Sequence, residues 1–279
     1  MSVLLIGGTG FLGSFVAARL FASVERELCV LVRPTSDRSC LPPEVEVRVG
    51  DLGEPLPLGG IDTLVYCASM GFGHVPRLVQ QLEAAGVQRA VFIGSTAIFT
   101  RLPAASRAVR LEAERAVGSS RLAWTIVRPT MIYGTHRDRN ISRLLRALSR
   151  WPVFPVCGDG LWQPIYVEDL ADAVLAALAS PRTLGRAYNL AGATPLRFSH
   201  LVRTAARALG RNVVLVPVPL RLAVVAARLT RVVSPEQVLR LAEDKAFDYS
   251  EATRDFSFSP RSFEEGVRLE VRQLRGLPR

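Results

Sequence analysis

The chain has 279 residues, of which 49% are hydrophobic and 22% charged, and a formal net charge of +10. That length can bury a core without disulfide or metal staples, and that composition excludes disordered, collagen-like and coiled-coil chains. The basic residues stand singly rather than in blocks with interleaved aromatics, so no nucleic-acid partner is expected despite the charge.

Met1 to Leu4 runs straight into a glycine-rich segment instead of a charged leader and cleavage site, and no apolar run reaches the roughly 18 residues of a membrane span. A cytoplasmic location is expected. Ser2 to Ile6 is a short apolar run, followed by Gly7-Gly8-Thr9-Gly10-Phe11-Leu12-Gly13. Ser14 to Ala22 then carries Phe15, Ala18 and Leu20 at helical spacing. The pattern predicts strand, glycine turn, helix. Leu28–Val32, Val45–Val49, Thr63–Cys67, Ala90–Gly94 and Trp124–Val127 are further strand-like runs, and Val75–Ala85 and Ala104–Val117 are helical in pattern. Such alternation predicts a doubly wound parallel sheet, an α/β Rossmann fold. After about residue 130, Pro and Gly loosen the pattern, at Pro152, Pro155, Gly158, Gly160 and Pro164. The expected organisation is a dinucleotide-binding domain over 1–134, with 165–191 returning to the sheet, and a smaller C-terminal substrate lobe over 135–164 and 192–275.

The opening motif carries the strongest functional signal. Its glycines permit a tight turn, close approach of backbone to a pyrophosphate, and close packing of helix on strand, and the helix N-terminus supplies free N–H groups at the positive dipole end. The four cysteines, Cys29, Cys40, Cys67 and Cys157, form no CxxC pair and stand near no histidine cluster, so reduced thiols and no metal site are expected. Of the 35 basic residues only Lys245 is a lysine. A mechanism that needs a catalytic lysine must use it or do without.

Several segments fall in one order and register: Gly-Gly-Thr-Gly-Phe-Leu-Gly at 7 to 13, Gly50-Asp51-Leu52, Gly94-Ser95-Thr96, Arg128-Pro129-Thr130-Met131-Ile132-Tyr133-Gly134, Tyr166-Val167-Glu168-Asp169-Leu170 and Tyr188-Asn189-Leu190. Together they resemble the extended short-chain dehydrogenase/reductase superfamily, the group of NAD(P)-dependent epimerases and dehydratases, over almost the whole chain. The resemblance implies that Gly7, Thr9, Gly10, Phe11, Leu12 and Gly13 cradle a dinucleotide. It also implies that Asp51 and Leu52 lie beside the adenine, Ala68 and Ser69 beside the cofactor after the fourth strand, and Pro129 and Thr130 at the nicotinamide. A homodimer is also implied.

Charge bears on the cofactor's phosphate. Where an NAD enzyme usually places a carboxylate on the ribose hydroxyls, this chain has Val32-Arg33-Pro34-Thr35-Ser36. A guanidinium binds a 2′-phosphate through paired charge-assisted hydrogen bonds, whereas a carboxylate repels it. NADP is therefore expected, with NAD as the alternative and Thr35, Ser36 and Arg38 as helpers to Arg33.

The catalytic half of the resemblance breaks down. The family's Tyr-x-x-x-Lys dyad aligns with Ser106 and Arg110, and no tyrosine in the chain precedes a lysine by four. A serine hydroxyl is far less acidic than a phenol of pKa about 10, so Ser106 does not inherit the proton transfer. The remaining catalytic candidates are Ser95, which matches the family hydroxyl that bonds the reacting oxygen, Arg110 as a charged donor, and Tyr133, a substitute proton donor if its loop aims it inward and otherwise, as is more expected, a tyrosine that packs that loop. His136 is the histidine that falls in a pocket loop, among His74, His136 and His200.

In the lobe, Arg137, Arg139, Arg143, Arg146 and Arg150 flank an apolar helical stripe, which fits an anionic substrate such as a nucleotide sugar or a solvated helix face. The segment before Tyr166, Leu161-Trp162-Gln163-Pro164, lacks the arginine that sugar-nucleotide relatives place there. Asn212 to Val233 is apolar with Arg221, Arg228 and Arg231, and a helix from about Leu220 would be basic and amphipathic; it caps the lobe, meets a partner or touches a membrane, the last being the least expected. The C-terminal Gly276-Leu277-Pro278-Arg279 is expected to fray. Two readings follow: an NADP-dependent oxidoreductase or epimerase acting on a hydroxyl or carbonyl substrate with a nonstandard proton donor, or a non-catalytic NADP-binding regulatory protein.

Overall fold

The computed structural model describes residues 2–23, 27–102, 104–230 and 235–276. Seven parallel strands form the central sheet: β1 Ser2–Ile6, β2 Glu27–Val32, β3 Glu46–Val49, β4 Thr63–Tyr66, β5 Arg89–Ile93, β6 Ala123–Pro129 and β7 Arg186–Leu190. Their spatial order is β7-β6-β5-β4-β1-β2-β3, the doubly wound arrangement that the alternation predicts. The inner strands are buried on both faces, as Val3, Leu4, Leu64 and Val65 show, because helices cover both sides.

Helices α1 (Phe11–Phe21) and α5 (Val167–Ala179) pack on one face, where Val16, Leu20, Leu170 and Val174 meet Val30 and Val65. Helices α2 (Val75–Ala84) and α3 (Ala105–Gly118) cover the other, where Leu78, Leu82, Ala113 and Val117 meet Leu4 and Phe92. In α2 the buried residues Val75, Leu78, Val79 and Leu82 fall at i, i+3, i+4 and i+7, and a proline occupies its first turn, where no N–H partner is lost.

A second core joins α4 (Ile141–Arg150), α6 (Phe198–Ala208) and α10 (Phe263–Gly276) through Leu145, Leu148, Leu201, Val202 and Val267. Helices α7 (Leu220–Thr230) and α8 (Pro235–Ala242) pair beside a two-stranded ribbon, Val153–Cys157 with Val214–Val218. One difference from the expected division concerns 249–258. Here α9 (Ser250–Phe256) returns to the sheet-side core through Ala252, Phe256 and Phe258, because Phe256 stacks edge-on against Tyr188 of β7. On α7, Leu222, Val225 and Leu229 are exposed on the side that carries Arg221 and Arg228, while Arg231 and the residues 277–279 of the tail lie outside the described residues. Among the described residues no helix is long and apolar enough to cross a membrane.

Candidate functional site

The order in which strands join the sheet reverses between β1 and β4, and this opens a groove at the carboxyl ends of the strands, of about 380 Å³. Gly7, Thr9 and Gly10 line it after β1, Arg33 and Ser36 after β2, Asp51 and Leu52 after β3, and Ala68 and Ser69 after β4. The glycine turn is forced by contact. A Cβ on Gly13 would stand 1.9 Å from the Gly7 carbonyl oxygen, and one on Gly7, whose φ is +84°, would stand 2.7 Å from the Ala68 nitrogen. Gly10 N–H closes the turn on the Gly7 carbonyl at 3.0 Å. Helix α1 then begins with no acidic residue in its first turn and no side-chain cap, which leaves its N-terminal donors for an anion.

The remaining predicted residues fall into place with differences. Leu12 is buried in the core and Phe11 stacks edge-on with Phe15, so their part is to set the helix under the turn. Ser36 Oγ accepts the Arg33 N–H at 3.2 Å and shares the groove, whereas Thr35 and Arg38 are exposed and do not line it. The Asp51 carboxylate accepts the Gly53 N–H at 2.9 Å, and Ser69 Oγ the Gly71 N–H at 3.2 Å. His74, at the start of α2, lines the groove, which the sequence reading missed by favouring His136; His136 faces a separate surface pocket with Phe15 and Gln273. Cys67 also borders the groove, and burial pushes its thiol up to about 12.

Along the same sheet edge, past β5 and β6, lies a larger cleft of about 690 Å³. Ser95 and Thr130 form part of its floor. Ser95 Oγ accepts the Ala97 N–H at 3.2 Å, so its own hydroxyl proton is directed elsewhere. Pro129 is buried and its carbonyl accepts the Thr96 hydroxyl at 3.1 Å, while Thr130 Oγ1 donates to the Gln163 carbonyl at 2.5 Å. Behind this floor Arg128 clamps Glu114 with three contacts of 2.6 to 3.1 Å, which fixes α3 against the end of β6. Ser106 and Arg110 of α3 bond each other at 2.6 Å. Burial, and then the charge of Arg240, holds the Arg110 guanidinium below its ordinary value. Arg240 lines the cleft, whereas Arg110 and Ser106 do not; the Arg110 guanidinium lies against Gly71.

Tyr133 requires a correction. Its ring is fully buried between Tyr166 and Phe263, and a Cβ on Gly266 would lie 2.0 Å from its hydroxyl. The hydroxyl thus points into the packing against α10, away from Ser95, and burial raises its pKa well above that of a free phenol. The substrate-lobe arginines also divide. Arg143 lines the cleft, but Arg137 braces the glycine turn, donating to the Thr9 carbonyl at 2.9 Å and Ser14 Oγ at 3.1 Å. Trp162, Arg240 and Lys245 complete the cleft wall, none of them assigned there from sequence. Among the described residues no group of three His, Cys, Asp or Glu side chains is placed to hold a metal ion.

A glycine turn closed on backbone, an open helix N-terminus and a groove at the switch point define a dinucleotide-binding Rossmann protein. Residues 7–181 match the NAD(P)H-binding family, to which the chain belongs. The chain is 31% identical over 198 residues to a ceramide reductase of Caulobacter vibrioides, covering 64% of this chain and 61% of that one. It is 25% identical over 218 residues to the mitochondrial NADH dehydrogenase [ubiquinone] 1 alpha subcomplex subunit 9 of Arabidopsis thaliana, covering 67% of this chain and 53% of that one. The chain therefore spans little more than half the length of these relatives. Its fold is shared with gox2253, at a TM-score of 0.82, 22% identity and 98% coverage of both chains. It is shared too with the UDP-glucuronic acid 4-epimerase of Bacillus cereus in complex with NAD, at 0.79, 14% identity and 99% coverage of both.

Proposed function

We propose that this chain is a cytoplasmic NADP-dependent oxidoreductase that interconverts a hydroxyl and a carbonyl group on a small-molecule substrate. The observation that carries the reading is that the dinucleotide groove and a cleft floored by Ser95 and Thr130 open on one sheet edge, from the adjacent strands β4 and β5. When bound, a nicotinamide dinucleotide would supply or accept a hydride. Gly7, Gly10 and the first turn of α1 would hold its pyrophosphate, and Asp51 and Leu52 would border the adenine. Arg33, with Ser36, would take the 2′-phosphate, and Pro129 and Thr130 would flank the reacting ring. Ser95, whose oxygen already accepts a backbone N–H, would hold the reacting oxygen through a hydrogen bond from its hydroxyl. The cleft mixes the apolar walls of Phe99, Met131, Trp162 and Leu241 with cationic Arg143, Arg240 and Lys245 and with Glu243 and Asp244, whose carboxylates accept hydrogen bonds from Thr100, Arg101 and Leu161. That lining favours a substrate with an apolar body and an anionic or strongly polar end over a bare sugar nucleotide, in keeping with the similarity to a ceramide reductase.

Titration with NADPH and NADH, followed by energy transfer from the three tryptophans, tests the cofactor assignment. Arg33→Ala is expected to weaken NADPH by about 10- to 100-fold and leave NADH nearly unchanged, the loss of a charge-assisted pair. Equal weakening of both would remove the NADP assignment, and binding of neither would remove the whole reading. A second reading, an NADP-binding regulatory subunit, is supported by the similarity to a subunit of NADH dehydrogenase. A substrate-dependent change in nicotinamide absorbance excludes it.

A further inference from the structure

Lys245, the only lysine in the chain, is carried by the fold into the cleft that Ser95 and Thr130 floor. Its backbone is fixed there: Lys245 N–H donates to the Leu161 carbonyl at 2.6 Å, and the residue bridges Trp162 in parallel. Nζ stands 3.6 Å from the centre of the Trp162 ring and donates to the Arg240 carbonyl. An ammonium has three protons; the carbonyl takes one and the indole face another, which leaves one for the cleft. The two carboxylates that precede Lys245 in the chain are engaged elsewhere. Glu243 accepts the Thr100 hydroxyl at 2.9 Å and the Arg101 N–H at 2.8 Å, and Asp244 accepts the Leu161 N–H at 2.7 Å. Phe247 N–H donates to Gln163 Oε1 at 2.9 Å, and the Gln163 carbonyl accepts from Thr130, so the lysine segment is tied to the cleft floor.

We propose that Lys245 is the proton-transfer residue of this cleft, serving the reacting oxygen that Ser95 holds. The assignment rests on reading the cleft as a hydride-transfer site. In the reducing direction the carbonyl carbon gains a hydride from reduced nicotinamide, the C=O π bond breaks, and its electron pair forms an O–H bond with a proton from Nζ. The carbonyl is reduced to an alcohol and the nicotinamide is oxidised. Lys245 is left as the neutral amine and recovers a proton from water; in the oxidising direction the amine takes the hydroxyl proton. Burial favours the neutral amine and lowers the pKa to about 8, opposed by Glu243 and assisted by Arg240. The group thus exchanges its proton close to neutral pH, as acid–base catalysis requires. Arg110 and Ser106, at the positions of the family dyad, bond each other instead.

With a single lysine side chain in the protein, its titration is read directly by competitive acetylation with acetic anhydride, quantified by mass spectrometry of the peptide that contains Lys245. A midpoint near 8 is expected, and a midpoint near 10.5, the value of an ordinary lysine, overturns the proposal. The second arm compares Lys245→Met, Lys245→Arg and Lys245→Ala in NADPH oxidation with a panel of aldehydes and ketones. All three are expected to lose ~10²- to 10⁴-fold in kcat and to flatten the pH profile around the lysine midpoint, with NADPH affinity unchanged. Added alkylamines should restore part of the activity of Lys245→Ala, which a merely structural lysine would not allow. Full activity with an unaltered pH profile in Lys245→Met overturns the assignment. Failure of the native protein to bind NADPH removes the hydride-transfer reading itself, and it is distinguishable because the acetylation midpoint needs no cofactor.

Discussion

Gly13 and Gly59 separate a glycine required by contact from one that is not. A Cβ at Gly13 would overlap the Gly7 carbonyl oxygen at 1.9 Å, whereas one at Gly59 meets nothing within 4 Å. Gly13→Ala should therefore open the turn, cost about 1–3 kcal/mol in denaturant unfolding and weaken NADPH at least ~10-fold, with Gly59→Ala close to native in both. Native-like binding by Gly13→Ala would mean that the turn does not set the groove. Tyr133 is the complementary case, a phenol removed from chemistry by packing. Its hydroxyl reaches only the Phe263 carbonyl, at 3.5 Å. Tyr133→Phe should leave turnover within about twofold and cost no more than about 1 kcal/mol of stability. A drop of two orders of magnitude in kcat would restore the phenol as a proton donor.

At the scale of elements, α10 is held to the lobe partly by a buried carboxyl. Glu270 is fully buried, and neither its oxygens nor Asp138 Oδ2 has a hydrogen-bond partner among the described residues. Burial, then the Asp138 charge, raises the Glu270 pKa to about 10, so a proton retained on Glu270 supplies the missing bond to Asp138. Because that value lies above the 4.5 of an exposed glutamate, the folded chain binds more protons than the unfolded chain between the two. Its contribution is complete below the lower value and declines by at most ~1.4 kcal/mol per pH unit as pH rises through the window. Glu270→Gln cannot ionise and still donates to Asp138. Its Tm should fall less than that of the native chain between roughly pH 6 and 9, and parallel slopes would show that Glu270 is not the group that titrates. The Arg128–Glu114 clamp holds α3 in the same manner by charge. Its side chains are 19% and 10% exposed, so Glu114→Ala leaves a poorly solvated guanidinium and should cost about 2 kcal/mol in unfolding.

For the whole molecule, cofactor binding and stability are linked. A ligand that binds only the folded chain at one hundred times its Kd adds ~2.7 kcal/mol, or roughly 5–10 °C in Tm for a chain of this size. NADPH is expected to produce that shift in the native chain and, at the same concentration, no more than about half of it in Gly13→Ala. An unchanged Tm at saturating nucleotide would contradict the groove. The cleft also depends on the whole fold, since Gln163 joins Thr130 after β6, the loop at Gly192 and the segment at Phe247 through its amide and carbonyl.

The alternation of apolar runs and helical stripes sufficed to specify the parallel sheet, and the glycines at 7, 10 and 13 marked the dinucleotide turn. Both are local signals: a strand buried on two faces must be apolar along its length, and a turn closed by backbone contact admits no Cβ. The positions of Arg33, Asp51 and Ser95 were legible for a related reason, because each lies within two residues of a strand's carboxyl end and strand ends converge on one edge. Tertiary structure alone decided where side chains on irregular segments point. Tyr133 and Lys245 are both chemically competent in sequence. Packing against Gly266 buried the first, while the bridge to Trp162 brought the second from a distant segment to the cleft. No period or spacing encodes such contacts, since they depend on which surfaces meet after the sheet and lobe have formed.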